Sequence, residues 1–356
     1  MFPTSNRHRA ALRTLALAGA CAAVLAGCSV DEILQVDAPD ILTTDELQGP
    51  GGIEAQVNGI VGAFNEQFDN YVRYSGLLTD EFIAAGTFPT RIEVDDRRIF
   101  TDNATVTAEV AEVMHRARLM ADTSTVIFSS VLADPAFADV VDRLNEGIAL
   151  GQFYGGYIRI LLAELYCETP VANGPVQSSD ELMQSAIDLL EQAETGAAAV
   201  GRADLVAAAR VGQARALMWL GDYDGARSIA SEGIPDGFEY LAEYSDNTPE
   251  QENEVYDLTW GRNGAVIRWT VGDGMEPSRH NERWPYYDEW VELGMIIPDA
   301  NGKGIVDDPF SSAVDLTNLQ MKYDAPDSAI VLASKAEADM ILAEIAVRNE
   351  DFVTAN

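Results

Sequence analysis

One helical pattern recurs in this 356-residue chain at a fixed offset. Residues 214–226 (Ala-Arg-Ala-Leu-Met-Trp-Leu-Gly-Asp-Tyr-Asp-Gly-Ala) align with residues 343–355 (Ala-Glu-Ile-Ala-Val-Arg-Asn-Glu-Asp-Phe-Val-Thr-Ala). Ala, Asp, an aromatic and a second Ala match in place. Each element has a physical use. Gly221 provides a left-handed exit from one helix, and Asp222 caps the next. Tyr223 and Ala226 let two helices pack closely. A chain that repeats a helix, a tight turn and a second helix is committed to helix-on-helix packing. The expected fold class is all-α.

Apolar spacing supports that class. Ile53, Val57, Ile60, Phe64 and Phe68 repeat at helical intervals, followed by a segment 71–82 that leads into a loop. Residues 105–131 read as one long amphipathic helix, and 136–166 as another that closes at the loop Thr169-Pro170-Val171. Ser179 or Asp180 is placed to cap a helix over 180–199. Further helices are expected near 203–220, 223–234 and 334–348. The turn at 220–226 is similar to that between the helices of tetratricopeptide repeats, so hairpins of this type are expected near 136–234 and 334–356. From 237 to 330 the helical period fades and Gly, Pro, Asn and Asp become frequent. This is expected to be a loop-rich insert with short strands at 255–260 and 265–270.

The N-terminus reads as an export signal. Arg7, Arg9 and Arg13 precede an apolar run over 15–25 that ends in Leu25-Ala26-Gly27-Cys28. That ending resembles the bacterial lipobox, which predicts cleavage after residue 27 and acylation of Cys28. Residues 28–50 are then a tether or arm, and 51–356 the folded domain. Acyl chains on one cysteine anchor a protein without spanning the membrane. The net charge of −35 becomes −38 once the signal's three arginines are removed. Such a polyanion is a poor partner for nucleic acid.

Catalytic and metal motifs are absent from the sequence. No Walker loop, Gly-x-Ser-x-Gly or dinucleotide fingerprint stands in a strand–helix context. His115 and His280 lie outside any ligand-spaced cluster. Residues 299–310 only partly follow a calcium loop, with Lys303 and Phe310 where oxygen ligands belong, so a plain Asn-Gly turn is expected. With 58 acids in the chain, carboxylate pairs arise by chance and do not argue a glycosidase. The distinctive feature is aromatic. Trp260, Trp269, Trp284 and Trp290 fall within a 31-residue window, with Tyr286 and Tyr287 among them. Flat rings offer an apolar platform for the C–H face of a sugar. Trp284, Tyr286, Tyr287 and Trp290, with Arg283 beside them, are the candidate ligand residues. Trp260 and Trp269 sit in apolar runs and read as anchors of the insert.

The order of these pieces resembles the SusD/RagB family of outer-membrane lipoproteins. The resemblance rests on Cys28, the arm Asp37-Ala38-Pro39-Asp40-Ile41-Leu42-Thr43, and the loop Leu77-Leu78-Thr79-Asp80-Glu81. It continues through the helix at 151–166 with its exit Thr169-Pro170-Val171, the hairpin at 205–234 and the terminal helix at 335–344. Cys167 stands where the family has glycine. Members usually continue well past the last of these helices, so the resemblance implies a C-terminal truncation. It also implies a surface-facing, lipid-anchored protein of the outer membrane that captures oligosaccharides or peptides. Delivery would be to a TonB-dependent, SusC-like transporter, with no catalytic residue, cofactor or metal. Asp80 joins the ligand set by this analogy, with Tyr71, Tyr74 and Arg91 as a second patch. The alternatives are a scaffold that binds only proteins, and a glycoside hydrolase.

Overall fold

The computed structural model describes residues 49–79, 81–84, 87–172, 174–261, 265–267 and 322–351. The signal, Cys28, the arm up to residue 48, Asp80 and the aromatic cluster from Trp269 to Trp290 lie outside the described residues, as does the Asn-Gly turn at 299–310.

The chain is predominantly helical. Helix α1 (Ile53–Leu78) runs without a break into the segment 71–82 expected to lead into a loop. Its last two turns stay helical because Tyr71, Arg73 and Tyr74 find partners on other helices. Strand β1 (Phe82–Ala84) and helix α2 (Pro89–Asp95) follow. The expected helix over 105–131 is two pieces, a π-helical segment Thr105–Ala111 and helix α3 (Glu112–Val131). A 3-10 turn (Pro135–Val140), capped by Asp134, leads into α4 (Val141–Leu165).

Helix α4 is the axis of the core. Every residue from Phe153 to Ala163 is buried, which for a helix means neighbours on all sides. Helices α3, α1 and α5 (Ser179–Ala199) pack around it, and α6 (Ala203–Leu220) packs on α5. The α4–α5 approach is close because Gly156 lacks a side chain. A Cβ there would lie 2.7 Å from Leu190 Cγ and 3.2 Å from the Ala186 carbonyl.

Between α4 and α5 the expected loop contains a ribbon, β2 (Glu168–Pro170) against β3 (Val176–Ser178). The cap of α5 is Ser178, not Ser179 or Asp180. Its hydroxyl accepts from the Glu181 N–H while Glu181 reaches back, a capping box. Helix α7 is Tyr223–Ala230, and α9 (Lys335–Arg348) packs against both α6 and α7.

The repeated turn is geometrically the same in both copies. Gly221 has φ +78°. Its N–H donates to the Met218 carbonyl and the Asp222 N–H to Leu217. In the second copy Glu350 has φ +59°, its N–H donates to Val347 and that of Asp351 to Ala346. Both are Schellman turns. The second is made without glycine.

The loop-rich insert opens and closes in one ribbon, β4 (Glu239–Ala242) against β6 (Ile330–Ser334). Residues 265–267 form β5 (Ala265–Ile267), antiparallel to β1, with Phe82 opposite Ile267. Residues 255–260, expected as a strand, are helical: α8 (Glu254–Tyr256) runs into a π-helical turn, Asp257–Gly261. The cause is Asn253, whose Oδ1 accepts from the backbone N–H groups of Val255 and Tyr256 and so starts a helix. Among the described residues no helix is long and apolar enough to cross a membrane.

Candidate functional site

A concavity lies over one face of α1, lined there by Gly62, Asn65, Glu66, Asp69 and Asn70. It has a volume of about 990 Å³ and is walled on its far side by residues 243–254. Two reciprocal bonds set this wall on the helix. Asn65 Nδ2 donates to the Glu243 carbonyl at 2.7 Å, and the Tyr244 hydroxyl donates to the Asn65 carbonyl at 2.9 Å.

The floor is polar and buried. Asp69, 1% exposed, accepts the Glu254 N–H at 3.0 Å and Asn70 Nδ2 at 3.3 Å. Burial pushes its carboxyl up to about 8, against a smaller opposing pull from those bonds and Arg73. Arg73 lies beneath, 3% exposed. Its guanidinium donates to Glu254 at 2.6 Å, to Asn70, and to Glu109 of the first π segment at 3.2 Å. Asn253, fully buried, ties the far end of the insert to the same place. Its N–H donates to the Pro326 carbonyl and its Nδ2 to Ser328, both at 2.7 Å. The described roots of the insert therefore meet beside this cleft.

The second patch expected from sequence is divided by the structure. Tyr74 and Arg91 meet, because both donate to Glu109. Tyr71 points elsewhere, donating to Glu164 of α4 at 2.7 Å. There Arg215 of α6 grips Glu164 with two nitrogens, at 2.7 and 2.6 Å, and reaches Glu337 of α9 at 3.5 Å. Burial raises both the Tyr71 phenol and the Glu337 carboxyl. These groups tie helices together. The primary set, Trp284, Tyr286, Tyr287, Trp290, Arg283 and Asp80, lies outside the described residues.

Sequence reasoning missed Asp69, Arg73, Asn253 and Glu254. One signal was available. From Arg227 to Arg262 the chain has nine acids and no base, and this stretch supplies the cleft wall. A smaller cleft of about 240 Å³ adjoins the first and shares Asn65 and Glu243. Its bases are already paired, Arg143 with Glu54 and Glu146, and Arg202 with Glu146 and Asp204. Among the described residues no group of three or more His, Cys, Asp or Glu is placed to hold a metal ion.

No family model matches this chain, and no curated protein matches it. Two solved structures are similar to it, both of SusD superfamily proteins. One is from Bacteroides thetaiotaomicron VPI-5482, at 11% identity and TM-score 0.63, covering 86% of this chain and 78% of that one. The other is from Bacteroides vulgatus ATCC 8482, at 12% identity and TM-score 0.57, covering 86% and 77%. The fold of this chain is SusD-like.

Proposed function

We propose, taking the SusD-like fold as premise, that this protein is a binding lipoprotein of the outer membrane, anchored through Cys28 and facing the cell surface. It captures oligosaccharides or similar oligomeric nutrients and passes them to a TonB-dependent, SusC-like transporter. The observation that carries this reading is the cleft of about 990 Å³ over α1, on a fold similar to SusD superfamily proteins. Its wall and the roots of the aromatic-rich insert share Asn253 and Glu254. In this reading Trp284, Tyr286, Tyr287 and Trp290 supply stacking faces, and Arg283 and Asp80 hydrogen bonds. The protein orients and releases its ligand and performs no bond chemistry.

Three measurements test this. Purification from detergent-solubilised membranes should bring a large TonB-dependent receptor along. Cys28→Ser should abolish labelling with palmitate. Trp284→Ala and Trp290→Ala should weaken glycan binding. A purified protein that binds proteins but no soluble oligomer would favour a scaffold, and turnover of an oligosaccharide would favour a hydrolase.

A further inference from the structure

A third concavity, of about 710 Å³, lies where the start of α4 faces the end of α5. Its base is apolar: Ile148 of α4 against Gly196 and Ala199 of α5 and the adjoining Val200. The two helices close beneath it because Gly196 has no side chain. A Cβ there would stand 3.3 Å from that of Ala149. The rim is polar. Asp142 and Asn145, about one turn apart on α4, line it, and neither side chain has a hydrogen-bond partner among the described residues.

This concavity continues into the others. It shares Arg143 and Glu146 with the cleft of about 240 Å³, which in turn shares Asn65 and Glu243 with the cleft over α1. Val61, Tyr240 and Leu241 give the middle one an apolar base as well. The track follows α1 from Asp69 back to Glu54, which accepts from Arg143 at 2.7 Å. From Glu54 to Asp69 is about 22 Å of helix. It then crosses to α4 and α5. The divide before the third concavity is a chain of ion pairs, Glu54 with Arg143, Arg143 with Glu146, Glu146 with Arg202 and Arg202 with Asp204. Both arginines are already answered by acids.

We propose that the three concavities form one track for a neutral, linear, polyhydroxylated oligomer, with the α4–α5 concavity as a second binding subsite. An apolar base with a few polar groups at its edge suits sugar rings, whose faces are C–H and whose edges are hydroxyl. A hydroxyl both donates and accepts. Asn145 offers two donors and an acceptor, and Asp142 accepts, so the rim can meet both needs. Arg143, the base that lines this end among the described residues, is taken up by Glu54 and Glu146, so an anionic oligomer finds no counter-charge. A short ligand fills one concavity and leaves the others empty. A ligand longer than about 20 Å, the helix span between the first cleft and the divide, engages both ends, and joining two contacts in one molecule raises affinity. The inference rests on the capture reading and adds to it a second subsite and a length requirement.

The test is calorimetry on the purified full-length protein. The probes are the disaccharide and the hexasaccharide of three neutral linear glycans: a β-1,4-glucan, a β-1,4-mannan and an α-1,4-glucan. At least one hexasaccharide should bind one-to-one and at least about ten-fold tighter than its disaccharide. Ala199→Trp places a large ring in the α4–α5 concavity from an exposed helix end. It should remove that advantage at unchanged melting temperature. Asn145→Ala, which adds no bulk, should reduce the advantage about three-fold. Equal affinity for the two lengths, two hexasaccharides per protein, or an advantage that survives both variants would overturn the proposal. So would a lack of binding by every hexasaccharide. The capture reading survives these results if a large TonB-dependent receptor still co-purifies and some other soluble oligomer still binds.

Discussion

Around α4, α5 and α6 the interior is filled with alanine, glycine and leucine. Ala186, Ala193, Ala197, Ala208 and Ala214 are all fully buried or nearly so. Helices approach closely there, and few polar groups need partners. Around α1 ions and amides are buried beside the apolar face: Gln67, Asp69, Asn70, Arg73 and Arg91 are all less than 9% exposed. Two π-helical segments flank this side, and each contributes to it: Glu109 lies in one, and Glu254 opens the helix that runs into the other. π-Helical segments are rare and concentrate at functional sites. The two interiors answer different needs. Close packing stabilises the stack, while the α1 side sacrifices stability to keep charged groups in fixed places around a cleft.

That contrast can be broken from either side. The largest effect is expected at Arg73. Arg73→Met should destabilise by about 4 kcal/mol, since Glu254 and Asn70 lose their buried partner. Denaturant melts would measure it, and a loss near zero would mean that the ionic side is not structural.

The next effect is one of pH. The Asp69 carboxyl is raised to about 8 in the fold, so the native state holds a proton that the unfolded chain releases near its ordinary value. Folding therefore takes up a proton between these values, and this group's contribution to stability falls as pH rises from about 4 to about 8. Asp69→Asn keeps an acceptor for the Glu254 N–H and cannot ionise. Relative to the parent, it should gain on the order of 3 kcal/mol on going from about pH 5 to about pH 8. Parallel slopes for the two proteins would refute the burial argument.

In the stack, Gly156→Ala should cost about 2 kcal/mol, because the new methyl meets Leu190 and the backbone of Ala186. On the ionic side, Gln67 is fully buried and neither polar atom of its side chain has a partner among the described residues. Gln67→Met should stabilise by about 1 kcal/mol. The smallest effect is at the second Schellman turn. Glu350→Gly should gain about 0.5 kcal/mol, since glycine takes a positive φ without strain. A melting temperature resolved to a degree suffices for both.

The two sides also differed in how far the sequence disclosed them. The stack was readable because its signals are local. Gly221 and Asp222 declare a turn within a few residues, and Ala226 declares close packing. The Ser178 cap was missed by one position only, since three polar residues in a row compete for that role. The α1 side was not readable. Asp69 and Glu254 meet across 185 residues, and nothing in either neighbourhood announces the other. The strand expected over 255–260 failed because its β-branched and aromatic residues were outweighed by one side chain, the Asn253 cap. Tyr71, Tyr74 and Arg91 were grouped only by the resemblance of the early loop. The helix sends Tyr71 to a different partner from the one Tyr74 and Arg91 share.

The enclosure of α4 has a consequence for motion. Eleven consecutive residues, Phe153 to Ala163, have no face toward water. Their amide protons have no local route to solvent, because fraying one neighbour still leaves the others in place. Exchange there proceeds only through opening of the whole domain, so these amides report global stability directly. The α1 cleft can then loosen or tighten with its occupant while α4 registers only what the fold as a whole gains.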